Sequence, residues 1–100
     1  MNVLLVCSMG ASTASMCKKI EAAAAQEGMD IHAVAVPMAM LNDKVDWADV
    51  VLVGPQIRFM LEKVRSEAGG KPTEAMDMMA YGMMDGAKIL QQIKGMVDHG

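Results

Sequence analysis

Short apolar segments alternate along the chain with longer segments of helical periodicity. Residues 3–7 are apolar at every position, which is typical of a strand buried on both faces of a sheet. Residues 31–36, 49–53 and 72–76 are predicted as three further strands, of which the last has the weakest pattern. The chain is therefore expected to contribute four strands to one sheet.

The segments between these strands carry apolar residues at helical spacing. A helix is predicted over residues 12–27, with one buried face repeating every four residues and an end at Gly28. A second amphipathic helix is predicted from the spacing of Ile57, Met60, Leu61 and Val64, with its end at residues 68–70. Asp85 is expected to cap a last helix, whose apolar positions include Ile89 and Ile93.

Alternating strands and helices predict an α/β domain with a parallel sheet covered by helices on both faces. A compact doubly wound sheet of four strands has the order 2-1-3-4, with its switch point between strands 1 and 3. Residues 38–41 are predicted as a short turn or helix, and residues 42–44 as a loop. The whole chain, residues 1–100, is expected to be one domain, with its ligand site at the switch point.

Composition and charge exclude several classes of protein. No window has the roughly 20 uninterrupted apolar residues that a membrane helix needs. Two cysteines ten residues apart suit neither a disulfide framework nor a common zinc pattern, so a cytoplasmic protein is expected. A formal net charge of −3 without a basic stripe argues against nucleic acid as a partner.

The loop after the first predicted strand is dominated by small and hydroxyl-bearing residues. It reads Cys7-Ser8-Met9-Gly10-Ala11-Ser12-Thr13. A strand-to-helix loop of this kind can turn its backbone N–H groups inward as an anion nest, and the helix N-terminus adds its positive dipole end. Cys7 at the base of this loop is expected to attack phosphorus as a thiolate, leaving the phosphoryl group among these amides.

An inert core cysteine is the ordinary alternative for either thiol. The end of a strand, the hydroxyl-rich loop and the helix start together favour a reactive Cys7. Cys17 lies one turn into the predicted helix beside Met16 and Ile20, and it is expected to be a core residue.

The residues of the same loop also help to distinguish a phosphatase from a phosphoryl carrier. Tyrosine phosphatases carry an arginine six residues after their cysteine, where this chain has Thr13. Without that arginine, the loop lacks the usual group for transferring a phosphoryl group to water. A phosphoryl carrier is favoured, and a small cysteine-dependent phosphatase remains the alternative.

Three segments of the chain resemble one known family. Cys7-Ser8-x-Gly10-x-Ser12-Thr13 is similar to the phosphocysteine loop of the enzyme IIB components of the bacterial phosphotransferase system, lactose/cellobiose class. Residues 48–57 resemble that family's third strand and its loop Gly54-Pro55-Gln56. Tyr81-Gly82-x-x-Asp85-Gly86 resembles the start of its last helix.

The resemblance implies a transferase with a phosphocysteine intermediate. A phosphohistidine on a IIA partner would pass its phosphoryl group to Cys7, and a sugar held by the membrane partner IIC would then receive it. The sugars of this class are β-linked disaccharides such as cellobiose or diacetylchitobiose, or lactose. The implied fold is the same four-stranded parallel sheet, which resembles the low-molecular-weight phosphatase architecture. The protein would need no cofactor or metal, and it would meet the inner face of the membrane only through IIC.

Further residues are candidates for the rim of the site or for partner contacts. They are Gly54, Pro55, Gln56, Tyr81 and Met83. Gln56 either donates to the phosphoryl group or caps the second helix, and the cap is favoured. For Tyr81, lining the rim and packing beneath the last helix are equal alternatives.

The phosphoryl group itself is expected to be bound by the backbone of residues 9–13, assisted by the hydroxyls of Ser12 and Thr13. The 13 methionines also permit a third, non-catalytic hypothesis, an anion- or metal-binding module with thioether ligands for Cu(I). Core filling and an adaptable partner surface are the favoured interpretation of the methionines.

Overall fold

The computed structural model describes residues 1–8 and 11–97, which form one α/β domain with a parallel sheet. The strands are β1 (Asn2–Cys7), β2 (His32–Pro37), β3 (Val50–Val53) and β4 (Thr73–Ala75). The α-helices are α1 (Ala11–Gln26), α2 (Leu41–Lys44), α3 (Leu61–Glu67), α4 (Met78–Gly82) and α5 (Gly86–Val97). Short 3₁₀ helices span Met38–Met40, Val45–Trp47 and Pro55–Met60.

The strand order β2-β1-β3-β4 confirms the predicted doubly wound sheet. All neighbouring strands are parallel, and Cys7 at the end of β1 is in register with Pro37 at the end of β2. The carboxyl ends of β1 and β3, which are direct neighbours, therefore meet at one edge of the sheet. This edge is where the pattern of the chain predicted the ligand site.

Successive side chains of the central strands enter two separate cores. Val3 and Leu5 pack into the core that α1 and α5 cover, whereas Leu4 and Val6 pack into the core on the opposite face. The four side chains are fully buried. Alternation within a uniformly apolar strand thus explains why helices cover both faces of the sheet.

Helices α1 and α5 approach each other closely where α5 begins. A Cβ placed on Gly86 would lie 2.5 Å from the backbone carbonyl carbon and oxygen of Lys19. Only a residue without a side chain fits there at that distance. Asp85 precedes this contact and accepts a hydrogen bond from the Lys88 amide at 3.1 Å, which confirms its predicted capping of the last helix.

Three local predictions differ from the structure. The second amphipathic helix was expected from Ile57, but α3 begins only at Leu61, after a 3₁₀ helix in which Ile57 has a non-helical backbone (φ −123°, ψ 28°). Residues 42–44 were expected to form a loop but belong to α2, because Leu41 and Val45, one helical turn apart, both bury their side chains. Helix α4 was not predicted at all. Its signal is Asp77, whose carboxylate accepts a hydrogen bond from the Ala80 amide at 2.9 Å as an N-cap. Across residues 1–8 and 11–97, no helix is long and apolar enough to span a membrane.

Candidate functional site

Cys7 is the last residue of β1, and its thiol is directed sideways across the sheet edge. The sulfur donates to the backbone oxygen of Val36 in β2 at 3.7 Å. The residue is only 2% exposed. A thiolate has no proton to donate, so this contact is lost whenever the thiol ionises. The Cys7 thiol is therefore held by the neighbouring strand β2.

Gly54 brings the end of β3 against the same cysteine. Its amide donates to the Val6 oxygen at 2.8 Å, which continues the pairing of β1 with β3 up to the site. A Cβ on Gly54 would lie 3.7 Å from the Cys7 Cβ and 3.1 Å from the Gln56 Oε1. The Gln56 side chain thus folds back over Gly54.

This placement corrects the prediction for Gln56. The N-cap of the 3₁₀ helix Pro55–Met60 is Gly54, and no side chain of the described residues makes a capping hydrogen bond there. Gln56 lies inside the helix, one residue beyond Pro55, so its side chain is in the wrong position to cap it. The Gln56 Oε1 instead lies over the Gly54 backbone.

Thr13 and Tyr81 meet at the start of α1. Thr13 is fully buried, and its Oγ1 lies 3.2 Å from the Tyr81 Oη, with either hydroxyl able to donate. Tyr81 is half-buried against the core that α1 and α5 cover. The ring of Tyr81 packs against this core, and its hydroxyl contacts the first turn of α1, whereas a place at the rim of the site stays a prediction.

Helix α4 holds Tyr81 in this position. Asp77 caps the helix, and the buried Ala80 fixes it to the core. The Asp77 amide in turn donates to the Gln92 Oε1 of α5 at 2.9 Å. The Gln92 Nε2 donates to the Ala75 oxygen at the end of β4 at 2.8 Å. Tyr81 is thus attached to both α5 and the sheet.

The remaining predicted site residues are described to different extents. Ser8 is exposed directly after Cys7, and Met83 is 72% exposed in the turn after α4. For Ala11 and Ser12, the structure places the backbone in the first turn of α1. The predictions for Met9 and Gly10 lie outside the described residues.

Cys17 is buried in the apolar core between the sheet, α1 and α5, as predicted. Burial, assisted by the negative charge of Glu21 and by the proximity of Cys7, raises the pKa of Cys17 to about 12. The Cys17 thiol therefore stays protonated at neutral pH. The site at the carboxyl edge of the sheet thus has Cys7 as its candidate nucleophile.

Together these residues suit the transfer of a group to sulfur. A cysteine ends a central strand, a helix begins four residues later, and a partly buried hydroxyl pair joins the first turn of that helix to α4. The N-terminus of a helix attracts anions through its dipole and its free amides. The arrangement can place an anionic group next to the Cys7 sulfur.

Comparison with known proteins agrees with this arrangement. The model of the family described as "PTS system, Lactose/Cellobiose specific IIB subunit" matches residues 2–92. The oligo-beta-mannoside-specific EIIB component of Bacillus subtilis (strain 168) is 37% identical over 91% of this chain and 90% of its own length. The galactose-specific EIIB component of Lactococcus lactis subsp. cremoris (strain MG1363) is 32% identical over 96% of this chain and 95% of its own.

Solved structures share the fold over nearly the whole chain. The cellobiose-specific IIB component of Borrelia burgdorferi superposes with a TM-score of 0.80 at 34% identity, covering 99% of this chain and 93% of that one. The lactose-specific IIB domain of Streptococcus pneumoniae has the same fold, with a TM-score of 0.84 at 20% identity and 95% of each chain covered. The chain therefore belongs to the lactose/cellobiose-specific IIB subunits of the sugar phosphotransferase system.

Proposed function

We propose that the protein is a phosphoryl carrier that forms a phosphocysteine at Cys7. The position of Cys7 carries this proposal, because the residue ends the central strand at the switch point of the sheet in a chain of the IIB family. Ligands of doubly wound sheets bind at that point. The Gly54 backbone lies beside Cys7 there, and α1 begins four residues after it in the chain.

The first step moves a phosphoryl group from nitrogen to sulfur. The Cys7 thiolate attacks the phosphorus of a phosphohistidine on a IIA protein, so that an S–P bond forms while the N–P bond breaks. The imidazole nitrogen takes the bonding electrons and is later protonated from solvent. Before attack the thiol gives up its proton, and with it the hydrogen bond to the Val36 oxygen.

The second step moves the phosphoryl group from sulfur to a sugar. A sugar hydroxyl bound by the membrane partner IIC attacks the phosphorus, an O–P bond forms and the S–P bond breaks. The hydroxyl proton passes to a base on IIC or in solvent. Sulfur leaves as a thiolate, which is a good leaving group, so the phosphocysteine keeps a high tendency to transfer.

The loop from Ser8 to Thr13 is proposed to bind the phosphoryl group in both steps. Backbone amides of this loop and the N-terminus of α1 would face the equatorial oxygens, where negative charge is spread in phosphoryl transfer. The hydroxyls of Ser12 and Thr13 would add donors. Gln56, folded back next to Gly54, and the exposed Met83 are proposed contacts of the rim or of the partners.

The sugar class is proposed from the relatives. Their names give an oligo-β-mannoside, galactose and cellobiose as the sugars of their systems. We infer a β-linked disaccharide as the acceptor for this chain, reached at the cytoplasmic face of the membrane through IIC. The sugar would be selected mainly by IIC, which would hold it while its hydroxyl attacks the phosphorus on Cys7.

Intact-mass spectrometry tests the carrier directly. After incubation with a IIA protein in its phosphohistidine form, the wild-type chain is expected to gain the mass of one phosphoryl group and keep it. Cys17→Ser should gain it as well, whereas Cys7→Ser should not. Steady release of inorganic phosphate from an aryl phosphate, without a stable adduct, would instead identify the small cysteine-dependent phosphatase and overturn the carrier.

A further inference from the structure

The hydroxyl pair formed by Thr13 and Tyr81 brings together residues 68 positions apart in the chain. Thr13 is the third residue of α1, the helix that begins four residues after Cys7, and it is fully buried. Tyr81 belongs to α4, on a segment that follows β4. A contact between two hydroxyls leaves open which of them donates, since each has one proton and two acceptor sites.

A phosphoryl group bound by Thr13 would determine which of the two hydroxyls donates. Its oxygens accept hydrogen bonds and cannot donate when it is a dianion. For Thr13 to bind it, the single Thr13 proton must point toward the phosphoryl group, so the other hydroxyl of the pair has to be the donor. Tyr81 would then donate to the Thr13 Oγ1, and the Thr13 hydroxyl would donate onward.

We propose that Tyr81 is a positioning residue for phosphoryl transfer, which donates to the Thr13 Oγ1 and so directs the Thr13 proton to the phosphoryl group on Cys7. The proposal rests on the carrier function above. Chains of hydrogen bonds polarise one another, so the donation also makes the Thr13 hydroxyl a stronger donor. Tyr81 itself touches neither the sulfur nor the phosphoryl group in this scheme.

The surroundings of Tyr81 suit such a role. The ring is half-buried, and its short helix is held by the Asp77 cap and by the link from Asp77 to Gln92. A phenol on so constrained a helix keeps its hydroxyl in place before the phosphoryl group arrives. Little ordering entropy is then lost when the phosphocysteine forms.

A merely structural bond between Thr13 and Tyr81 has a different consequence. It would stabilise the free and the phosphorylated protein equally, and the equilibrium of phosphoryl exchange with IIA would not depend on it. The proposed relay stabilises the phosphorylated form more than the free form. The exchange equilibrium constant therefore separates the two roles, whatever the effect on folding.

The experiment measures that constant by intact mass or ³¹P NMR for the full chain mixed with a phosphohistidine-bearing IIA protein. Tyr81→Phe keeps the ring and should shift the equilibrium about 3- to 10-fold toward phosphorylated IIA, the scale of one hydrogen bond. Thr13→Val should shift it about 10-fold or more, because its bond to a charged group is lost. Thr13→Ser keeps the hydroxyl and should remain within about 3-fold of wild type.

A double variant and a matched control make the result decisive. In the Thr13→Val background, Tyr81→Phe should have no further effect on the equilibrium, since its influence passes through Thr13. Thr73→Val removes another buried hydroxyl, which donates to the Lys71 oxygen at 3.0 Å at the opposite edge of the sheet. It should lower stability without moving the exchange equilibrium.

Two failures would be distinguishable. If the wild-type chain takes up no phosphoryl group at all, the carrier function itself is wrong. If the wild type is phosphorylated but Tyr81→Phe leaves the equilibrium constant unchanged, or acts equally with and without the Thr13 hydroxyl, the positioning role is overturned while the carrier stands.

Discussion

Cys7 and Cys17 are both buried, at 2% and 5% exposure, yet they lie in regions of different chemistry. Cys7 ends a strand at the edge of the sheet, with a carbonyl oxygen of β2 as its partner and the Gly54 backbone beside it. Cys17 lies inside α1 among aliphatic side chains of the core. The residue type and the extent of burial are the same, and the surrounding groups differ.

The comparison shows that burial alone does not distinguish the two thiols, of which Cys7 is the proposed nucleophile. What distinguishes Cys7 is its place at the switch point and the helix that begins just after it, whereas Cys17 has neither. The region around Cys7 is built from backbone and polar groups. The region around Cys17 is built from close apolar packing between α1, α5 and the sheet. Substitutions in the first should change transfer, and those in the second should change stability.

The largest expected effect is the loss of transfer in Cys7→Ser. A serine hydroxyl without a neighbouring base is a poor nucleophile, so the rate of phosphoryl uptake from phosphorylated IIA should fall on the order of 10³-fold or more. Rapid-quench kinetics with mass detection measures this rate. Cys17→Ala is the matched control and should retain a rate near that of the wild type. A large loss in Cys17→Ala with an intact fold would contradict the assignment of the two cysteines.

The next largest effect concerns the packing of α1 against α5. Gly86→Ala would place a methyl group 2.5 Å from the Lys19 backbone, and the helices would have to move apart. We expect a loss of about 1–3 kcal/mol in the free energy of unfolding, measured by urea denaturation. Gly95→Ala in the same helix meets nothing within 4 Å and should stabilise by about 0.5–1 kcal/mol. Equal effects of the two substitutions would refute the close contact.

The third prediction uses pH to test the core around Cys17. The folded pKa of about 12 lies above the value of about 8.5 for a free thiol. The group therefore contributes stability that is fully present below about pH 8.5 and is lost as pH rises toward about 12. Above about pH 9, this loss should approach 1.4 kcal/mol per pH unit.

Cys17→Ala removes the titrating group and provides the control for this measurement. At neutral pH it should be less stable than the wild type, because it leaves a small cavity. The difference in unfolding free energy between the two proteins should shrink as pH rises from 7 to 10.5. Parallel pH profiles would show that Cys17 ionises as easily in the folded chain as in the unfolded one.

The smallest effect is expected for Gly54→Ala at the edge of the sheet. Gly54 has φ −61° and ψ 145°, which alanine adopts without strain, and the tightest contact would be with the flexible end of Gln56. The free energy of unfolding should change by less than about 1 kcal/mol. A loss as large as that of Gly86→Ala would mean that the end of β3 packs as tightly against Cys7 as α1 packs against α5. If Gly54→Ala lowers the free energy of unfolding, adding Gln56→Ala should restore it, because the tight contact with the Gln56 Oε1 is then absent.

Much of the fold could be predicted because it depends on local periodicity. Uninterrupted apolar runs identify the buried strands, and a four-residue repeat identifies α1, since these patterns follow from the geometry of single elements. The order of the strands follows from their alternation with helices. Cys7 and the loop after β1 could also be recognised from the sequence, because they are contiguous in the chain.

The remaining features depend on contacts between distant segments. Helix α2 forms because Leu41 and Val45 find a core supplied by the sheet, and the short sequence between them has no strong helical pattern. Gln56 folds back over Gly54 instead of capping, which depends on where β3 ends beside β1.

The sequence by itself determined the four strands, the helices α1 and α5, their order, and the position of Cys7 at the end of β1, because each depends on neighbours along the chain. Only the tertiary structure determined which side chains from distant segments of the chain contact each other. The hydroxyl of Tyr81 reaches Thr13 because α4 is fixed between β4 and α5, and Gly86 meets Lys19 because two helices cross closely there. Such contacts between distant segments depend on tertiary packing, and they cannot be predicted from the periodicity of a single segment.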